Sequence, residues 1–69
     1  MSREDAIKLM KEGKKLTHSY FSFDEWITMK KSFIEGWMIH LEDGVICTPE
    51  EFWKHRTEKE WDINWKILI

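Results

Sequence analysis

The stretch from Glu42 to Trp53, EDGVICTPEEFW, constrains the fold of this 69-residue chain more than any other part. Asp43-Gly44 lies between two apolar runs, and Asp-Gly favours the positive φ values that a two-residue type I′ hairpin turn requires. Thr48-Pro49-Glu50-Glu51 follows as an N-cap, a proline at the first helical position and a glutamate that completes a capping box. The sequence therefore predicts a β-hairpin that leads directly into a helix.

A two-residue turn also predicts the register of this hairpin. If Glu42 pairs with Val45, then His40 lies directly opposite Cys47, and side chains alternate between the two faces of the ribbon. The same register gathers one apolar face, which consists of Trp37, Ile39, Leu41 and Ile46.

Periodicity predicts the remaining elements. Ser2 is a candidate N-cap, and apolar residues at helical spacing predict an amphipathic helix over roughly residues 3–12, with Gly13 just beyond its last turn. Alternating residues predict strands over 15–20 and 25–30, and residues 30–36 then form a connection. The helix after Thr48 ends between residues 55 and 60, and β-branched residues over 66–69 favour a closing strand.

These elements predict an α+β domain over residues 1–69, a small antiparallel sheet packed by two helices in the order α-β-β-β-β-α-β. The expected core residues are Ile39, Leu41, Ile46, Phe52 and Ile67. The expected interface residues are Phe21, Phe33, Trp37 and Trp61.

Composition narrows the possible functions. A core this small rarely supplies more than about 3–5 kcal/mol, and five tryptophans with four phenylalanines cannot all be hidden, so we expect a homo-oligomer. A net charge of −2 with interspersed signs argues against binding to duplex nucleic acid. One cysteine excludes an internal disulfide, and no apolar run is long enough for a membrane span. We therefore expect a cytoplasmic protein with no membrane partner.

Catalysis has little support in the sequence. The expected pair of His40 and Cys47 could form a nucleophilic dyad, or it could be a cross-strand contact in which the cysteine acts as a small hydrophobe. The acidic residues in predicted turns are explained by turn formation and solvation, and the three glycines form no phosphate loop. We predict that the protein is not an enzyme and has no catalytic residue, metal or cofactor.

With this layout, the chain resembles a family of small phage and prophage proteins that includes the second type of Thoeris anti-defence protein and a related type II-A anti-CRISPR. His18 stands where that family has an arginine, Phe21 where it has a tryptophan, and Asn64-Trp65 where it has an aspartate-tryptophan pair. The other matching residues are Ala6, Met10, Gly13, Leu16, Trp26-Ile27-Thr28-Met29, Asp43-Gly44, Asp62-Ile63 and Lys66-Ile67.

The resemblance implies a homo-oligomer, a dimer or tetramer, that binds a nucleotide-derived immune signal between subunits in the host cytoplasm without cleaving it. The signal would be a cyclic nucleotide or a cyclic ADP-ribose-like molecule. Bases stack on aromatic rings, and lysine or arginine can meet phosphates. The candidate ligand-binding residues are His18, Tyr20, Phe21, Trp26 and Trp65. The alternatives are a protein-binding inhibitor or adaptor that acts through exposed aromatic residues, and an enzyme.

Overall fold

A computed structural model describes residues 1–68 and confirms the α+β fold and the predicted order of elements. A short 3₁₀ helix, which the sequence analysis did not predict, precedes the last strand. The elements are α1 (Arg3–Lys11), β1 (Leu16–His18), β2 (Ile27–Ser32), β3 (Gly36–Leu41), β4 (Ile46–Cys47), α2 (Pro49–Lys54), the 3₁₀ helix (Lys59–Asp62) and β5 (Trp65–Ile67).

The five strands form one antiparallel sheet in the order β4-β3-β2-β1-β5. The last strand does not follow its neighbour in sequence, because the chain crosses from β4 at one edge to β5 at the other. This crossing places His18 of β1 opposite Trp65 of β5. The same pairing places Thr17 opposite Lys66, so residues of β1 and of the C-terminal segment that are far apart in the chain come into contact.

Helix α1 begins and ends where its caps predict. The Ser2 hydroxyl accepts a hydrogen bond from the Asp5 backbone N–H at 3.1 Å, and Gly13 adopts φ +95° just after the last turn. Ala6 and Met10 are fully buried against the sheet. The apolar stripe of α1 therefore covers one face of the sheet, which we call the helix face.

The β3–β4 hairpin corrects the predicted register. Leu41 N–H donates to Val45 O at 2.9 Å and Gly44 N–H to Leu41 O at 3.0 Å, so the loop has three residues and not two. Gly44 has φ +90° whereas Asp43 has no positive φ, which is the pattern of a type I turn followed by a left-handed glycine and not of a type I′ turn. The predicted turn was wrong by one residue.

The extra loop residue moves β4 by one position and exchanges its two faces. His40 pairs with Ile46, and Ile39 pairs with Cys47. Ile46 therefore lies on the face opposite the helices, where 53% of it is exposed, and its assignment to the core was wrong.

The core lies between the helix face of the sheet and the two helices. Ile39 and Phe52 are buried there as predicted, Leu41 is partly buried, and Ile67 is 38% exposed at the edge strand, contrary to the prediction. The buried core residues are Ala6, Met10, Leu16, Ile27, Met29, Ile39, Phe52 and Trp65.

Strand β2 begins and ends two residues later than predicted, so residues 31 and 32 belong to it instead of to a connection. Its hairpin with β3 closes at the pair Ser32 and Gly36. Phe33 and Ile34 lie on the turn and are 104% and 88% exposed. They do not fold back onto the sheet.

Helix α2 has the predicted cap, in which the Thr48 hydroxyl accepts from the Glu51 backbone N–H at 3.1 Å. The helix ends at Lys54, one residue short of the predicted range. Within residues 1–68, no helix combines the length and apolar character needed to cross a bilayer.

Candidate ligand-binding site

Four of the five candidate ligand-binding residues meet in one aromatic cluster around His18, at the end of β1. The His18 ring stacks on Trp61 with centroids 4.5 Å apart and meets Trp65 edge-on at 4.6 Å. Tyr20 and Phe21 approach the same imidazole at 5.3 and 6.1 Å. The antiparallel pairing of β1 with β5 creates this cluster, because it brings Trp65 beside His18.

Backbone hydrogen bonds fix the His18 ring. Nε2 lies 2.7 Å from Glu60 O and 2.8 Å from Ile63 O, and the Tyr20 backbone N–H donates to Nδ1 at 3.0 Å. Because carbonyl oxygens only accept, Nε2 must carry the proton and Nδ1 must be the acceptor. Both ring nitrogens are therefore hydrogen-bonded inside the protein.

Trp65 is also buried and hydrogen-bonded within the protein. Its indole N–H donates to Trp61 O at 2.8 Å, and Asn64 before it adopts φ +67°, a left-handed conformation that asparagine tolerates. His18 and Trp65 are each only 2% exposed. The centre of the cluster is packed, and the rings that reach solvent are Tyr20, which is exposed, and Phe21 and Trp61, which are partly buried.

The fifth candidate, Trp26, lies apart from this cluster, beside an open groove on the sheet face opposite the helices. The Lys15 Nζ sits 4.3 Å from the centre of the Trp26 ring, a cation–π contact. The groove has a volume of about 440 Å³ and is lined by Gly13, Lys15, Trp26, Thr28, Met29, Lys30, His40, Leu41, Glu42 and Gly44. We call it the Trp26 groove.

Local structure shapes the floor of the Trp26 groove. The Thr28 hydroxyl donates to Lys14 O at 2.7 Å, which holds the α1–β1 loop over the sheet and positions Lys15. The Glu42 backbone N–H donates to Trp26 O at 3.2 Å, which holds the β3–β4 loop beside the indole. The groove therefore combines an aromatic ring, two ammonium groups and one carboxylate on ordered backbone.

Glu42 contributes an unusual acceptor to this groove. Its Oε2 atom is buried and has no hydrogen-bond partner among residues 1–68. A buried carboxylate oxygen without a donor is costly, so it would gain from a ligand that brings an N–H or O–H group.

Two side chains near the candidate sites have altered acidities. Partial desolvation against its ring neighbours, with smaller effects of the Glu60 and Glu58 charges, raises the pKa of the Tyr20 phenol. Burial raises the pKa of the Cys47 thiol, Arg56 acts in the opposite direction, and Glu51 adds to the increase. A thiol with a raised pKa is a poor nucleophile at neutral pH.

The proposed pair of His40 and Cys47 does not form. Directly paired residues of antiparallel strands share a face, so His40 lies with Ile46 on the open face while Cys47 lies with Ile39 on the helix face. The one-residue change in loop length thus removes the dyad. Residues 1–68 also contain no group of three or more histidine, cysteine, aspartate or glutamate side chains that could hold a metal ion.

The predicted interface residues differ in how far they are buried in the single chain. Trp37 is partly buried against the core, Phe21 and Trp61 pack in the His18 cluster, and Phe33 is exposed. Lys15 and Glu42 were not among the predicted site residues. Alternation of Lys15 against the buried Leu16 could have placed this lysine on the face of Trp26, but the position of Glu42 depends on the loop length.

Comparison of this chain with protein-family models, curated proteins and solved structures finds no match.

Proposed function

We propose that this protein is a phage-type anti-defence protein that binds a nucleotide-derived signal, a cyclic nucleotide or a cyclic ADP-ribose-like molecule, without cleaving it. The main supporting observation is the Trp26 groove, in which Lys15 lies over a half-buried indole and Lys30 lines the same groove. The resemblance to phage proteins that sequester such signals supports the same function. Such a protein would act in the host cytoplasm as a homo-oligomer.

The chemistry of the Trp26 groove suits a nucleotide. A base stacked on tryptophan gains about 1–3 kcal/mol, and the partly buried Trp26 indole already attracts an ammonium group, Lys15 Nζ at 4.3 Å from the ring centre. Lys15 and Lys30 can neutralise phosphate oxygens, and the unpaired Glu42 oxygen can accept from an amino or imino group of a base. The site we propose is therefore centred on Trp26 and differs from the His18 cluster, whose central rings are packed.

Thermal unfolding with a panel of cyclic dinucleotides, cyclic mononucleotides and cyclic ADP-ribose tests the proposal. A ligand at 100 times its Kd stabilises the native state by about 2.7 kcal/mol, which raises Tm by on the order of 10–20 °C for a domain of this size. The Lys15→Gln/Lys30→Gln variant should lose most of this shift, and Trp26→Leu should reduce it. A panel that leaves Tm unchanged at millimolar concentration would refute the proposal.

A matched variant separates a specific site from general charge attraction. Lys8→Gln/Lys54→Gln removes the same charge from two exposed lysines outside the Trp26 groove. This variant should keep the ligand-induced shift in Tm. Equal losses in both double variants would mean that net charge and not the groove governs binding.

Recovery of the ligand distinguishes a binding protein from an enzyme. After incubation and heat denaturation of the protein, chromatography should return the nucleotide intact and in stoichiometric amount. Steady conversion to a product with catalytic protein would contradict the non-enzymatic proposal.

A second candidate function is a protein-binding inhibitor or adaptor, and the β1–β2 loop favours it. Phe23 is 94% exposed on this loop and Tyr20 is also exposed. Phe23 also lines a groove of about 460 Å³ along β1 and β5, together with Phe21 and Ile67. Exposed aromatic side chains of this kind are common anchors of protein interfaces. If nucleotides fail to bind, Phe23→Ser should abolish capture of a purified target that the parent chain inhibits.

A further inference from the structure

The turn between β2 and β3 presents two large apolar side chains to solvent. Phe33 and Ile34, which we call the tip, are almost completely exposed. The turn is ordered, because the Ser32 hydroxyl accepts from the backbone N–H groups of Ile34 and Glu35 at 3.2 Å each. The tip is thus held in a conformation that keeps both side chains off the protein.

A groove of about 380 Å³ opens on the helix face beside the tip. Apolar side chains of both helices and of the sheet line it, together with Lys11, Glu35, Thr48 and Glu50. Its position next to the tip follows from Glu35 and Trp37, which flank the turn and also line the groove. The apolar lining residues are Ile7, Met29, Trp37, Pro49 and Trp53.

We propose that the tip of one copy of this chain occupies the groove of a second copy, and that the two contacts are exchanged in a symmetric dimer. The tip cannot fill its own groove, because both of its side chains point into solvent. A two-fold axis through the neighbourhood of Trp37 lets each copy supply one tip and one groove, so every contact is made twice. This inference is independent of nucleotide binding in the Trp26 groove.

Charge complementarity favours a second copy as the occupant. Lys31 is exposed at the end of β2 and faces the same side of the sheet as Trp37, its cross-strand partner. Glu50 is exposed at the start of α2, on the rim of the groove. A tip that enters the groove of its partner carries Lys31 toward Glu50, and an aromatic anchor of this size buries about 150–250 Å² at each of the two contacts.

Sedimentation velocity of the whole chain over a range of concentrations tests the dimer. We expect the parent to sediment as a dimer and Phe33→Ser/Ile34→Asn to raise the dimer dissociation constant at least about tenfold. Phe23→Ser is the matched control, since it removes an equally exposed phenylalanine from the β1–β2 loop. That control should remain dimeric, and circular dichroism should show the same fold in all three proteins.

A charge exchange tests the orientation. Lys31→Glu should weaken the dimer by placing Glu against Glu50, and Lys31→Glu/Glu50→Lys should restore it. If the parent is monomeric at millimolar concentration, the proposal is overturned, and any partner of the tip would be a different protein. A tip variant as dimeric as the parent, or a charge exchange that restores nothing, overturns the proposed contact.

Discussion

His18 is the type of residue expected in a ligand site, but it has the buried, hydrogen-bonded environment of a structural residue. Its ring nitrogens bond to the backbone of Tyr20, Glu60 and Ile63, so the imidazole ties the end of β1 to the segment before β5. Sequence reasoning correctly placed it among aromatic rings. Its burial depends on a strand pairing between residues that are far apart in the chain, which local patterns do not specify.

Replacement of His18 by phenylalanine should therefore destabilise the fold. The variant keeps a ring to stack on Trp61 but leaves two carbonyls and one N–H without their partner, at about 1–3 kcal/mol for each group that stays buried. We expect a loss of about 2–4 kcal/mol in the free energy of unfolding, measured with urea. Tyr20→Phe, which removes an exposed hydroxyl, should change it by less than about 0.5 kcal/mol. Equal stability of His18→Phe and the parent would show that the bonds contribute nothing.

Cys47 should react slowly with alkylating reagents. Burial holds the pKa of its thiol above the ordinary value, so a smaller fraction is thiolate at any pH below that pKa. The folded-state pKa is raised, so the associated stability is present below the unfolded pKa and is lost as pH rises through the folded pKa. Mass spectrometry should show slower iodoacetamide labelling of the native chain than of the chain in guanidinium chloride, with a higher pH midpoint. A native midpoint below the unfolded one would contradict this.

At the scale of elements, local sequence signals predicted which segments form helices and strands, whereas contacts between residues distant in the chain determine how these elements pair. The Ser2 and Thr48 caps and Gly13 lie where the sequence places them, since each satisfies backbone groups of its own helix. The β3–β4 register was missed because Asp-Gly fits both a two-residue turn and a three-residue turn with a terminal glycine. That single residue decides whether Ile46 is buried and whether His40 meets Cys47.

Gly44 provides a test of the three-residue turn. A Cβ at this position would meet no atom within 4 Å, so the cost of a substitution comes from φ +90° and not from crowding. Gly44→Val should lower the free energy of unfolding by about 1–2 kcal/mol, the usual cost of a left-handed conformation for a residue with a Cβ. Gly44→Asn should cost less, because asparagine tolerates this region. Equal effects of the two variants in urea unfolding would contradict the assigned conformation.

At the scale of the whole molecule, the composition predicted that some large apolar side chains would stay exposed, but it did not predict which ones. The structure places apolar surface at two ends of the sheet, on the tip and on the β1–β2 loop, and it separates Trp26 from the other candidate ligand residues. Composition cannot assign these positions, because a phenylalanine in a turn and one in a strand have the same apolar character. The sheet order decides which of them pack against the helices.

Association of a small domain should also make its stability depend on concentration. If the tip-to-groove dimer is the native species, a hundredfold increase in protein concentration adds about 2.7 kcal/mol per dimer, or half of that per chain. Tm should then rise by on the order of 5–10 °C for a chain of this length. The Tm of Phe33→Ser/Ile34→Asn should depend less on concentration than that of the parent, while Phe23→Ser should follow the parent. Exposed residues contribute little to the stability of a single chain. If the parent and the tip variant had the same Tm at every concentration, the fold would be stable as a monomer and the tip would not mediate dimerisation.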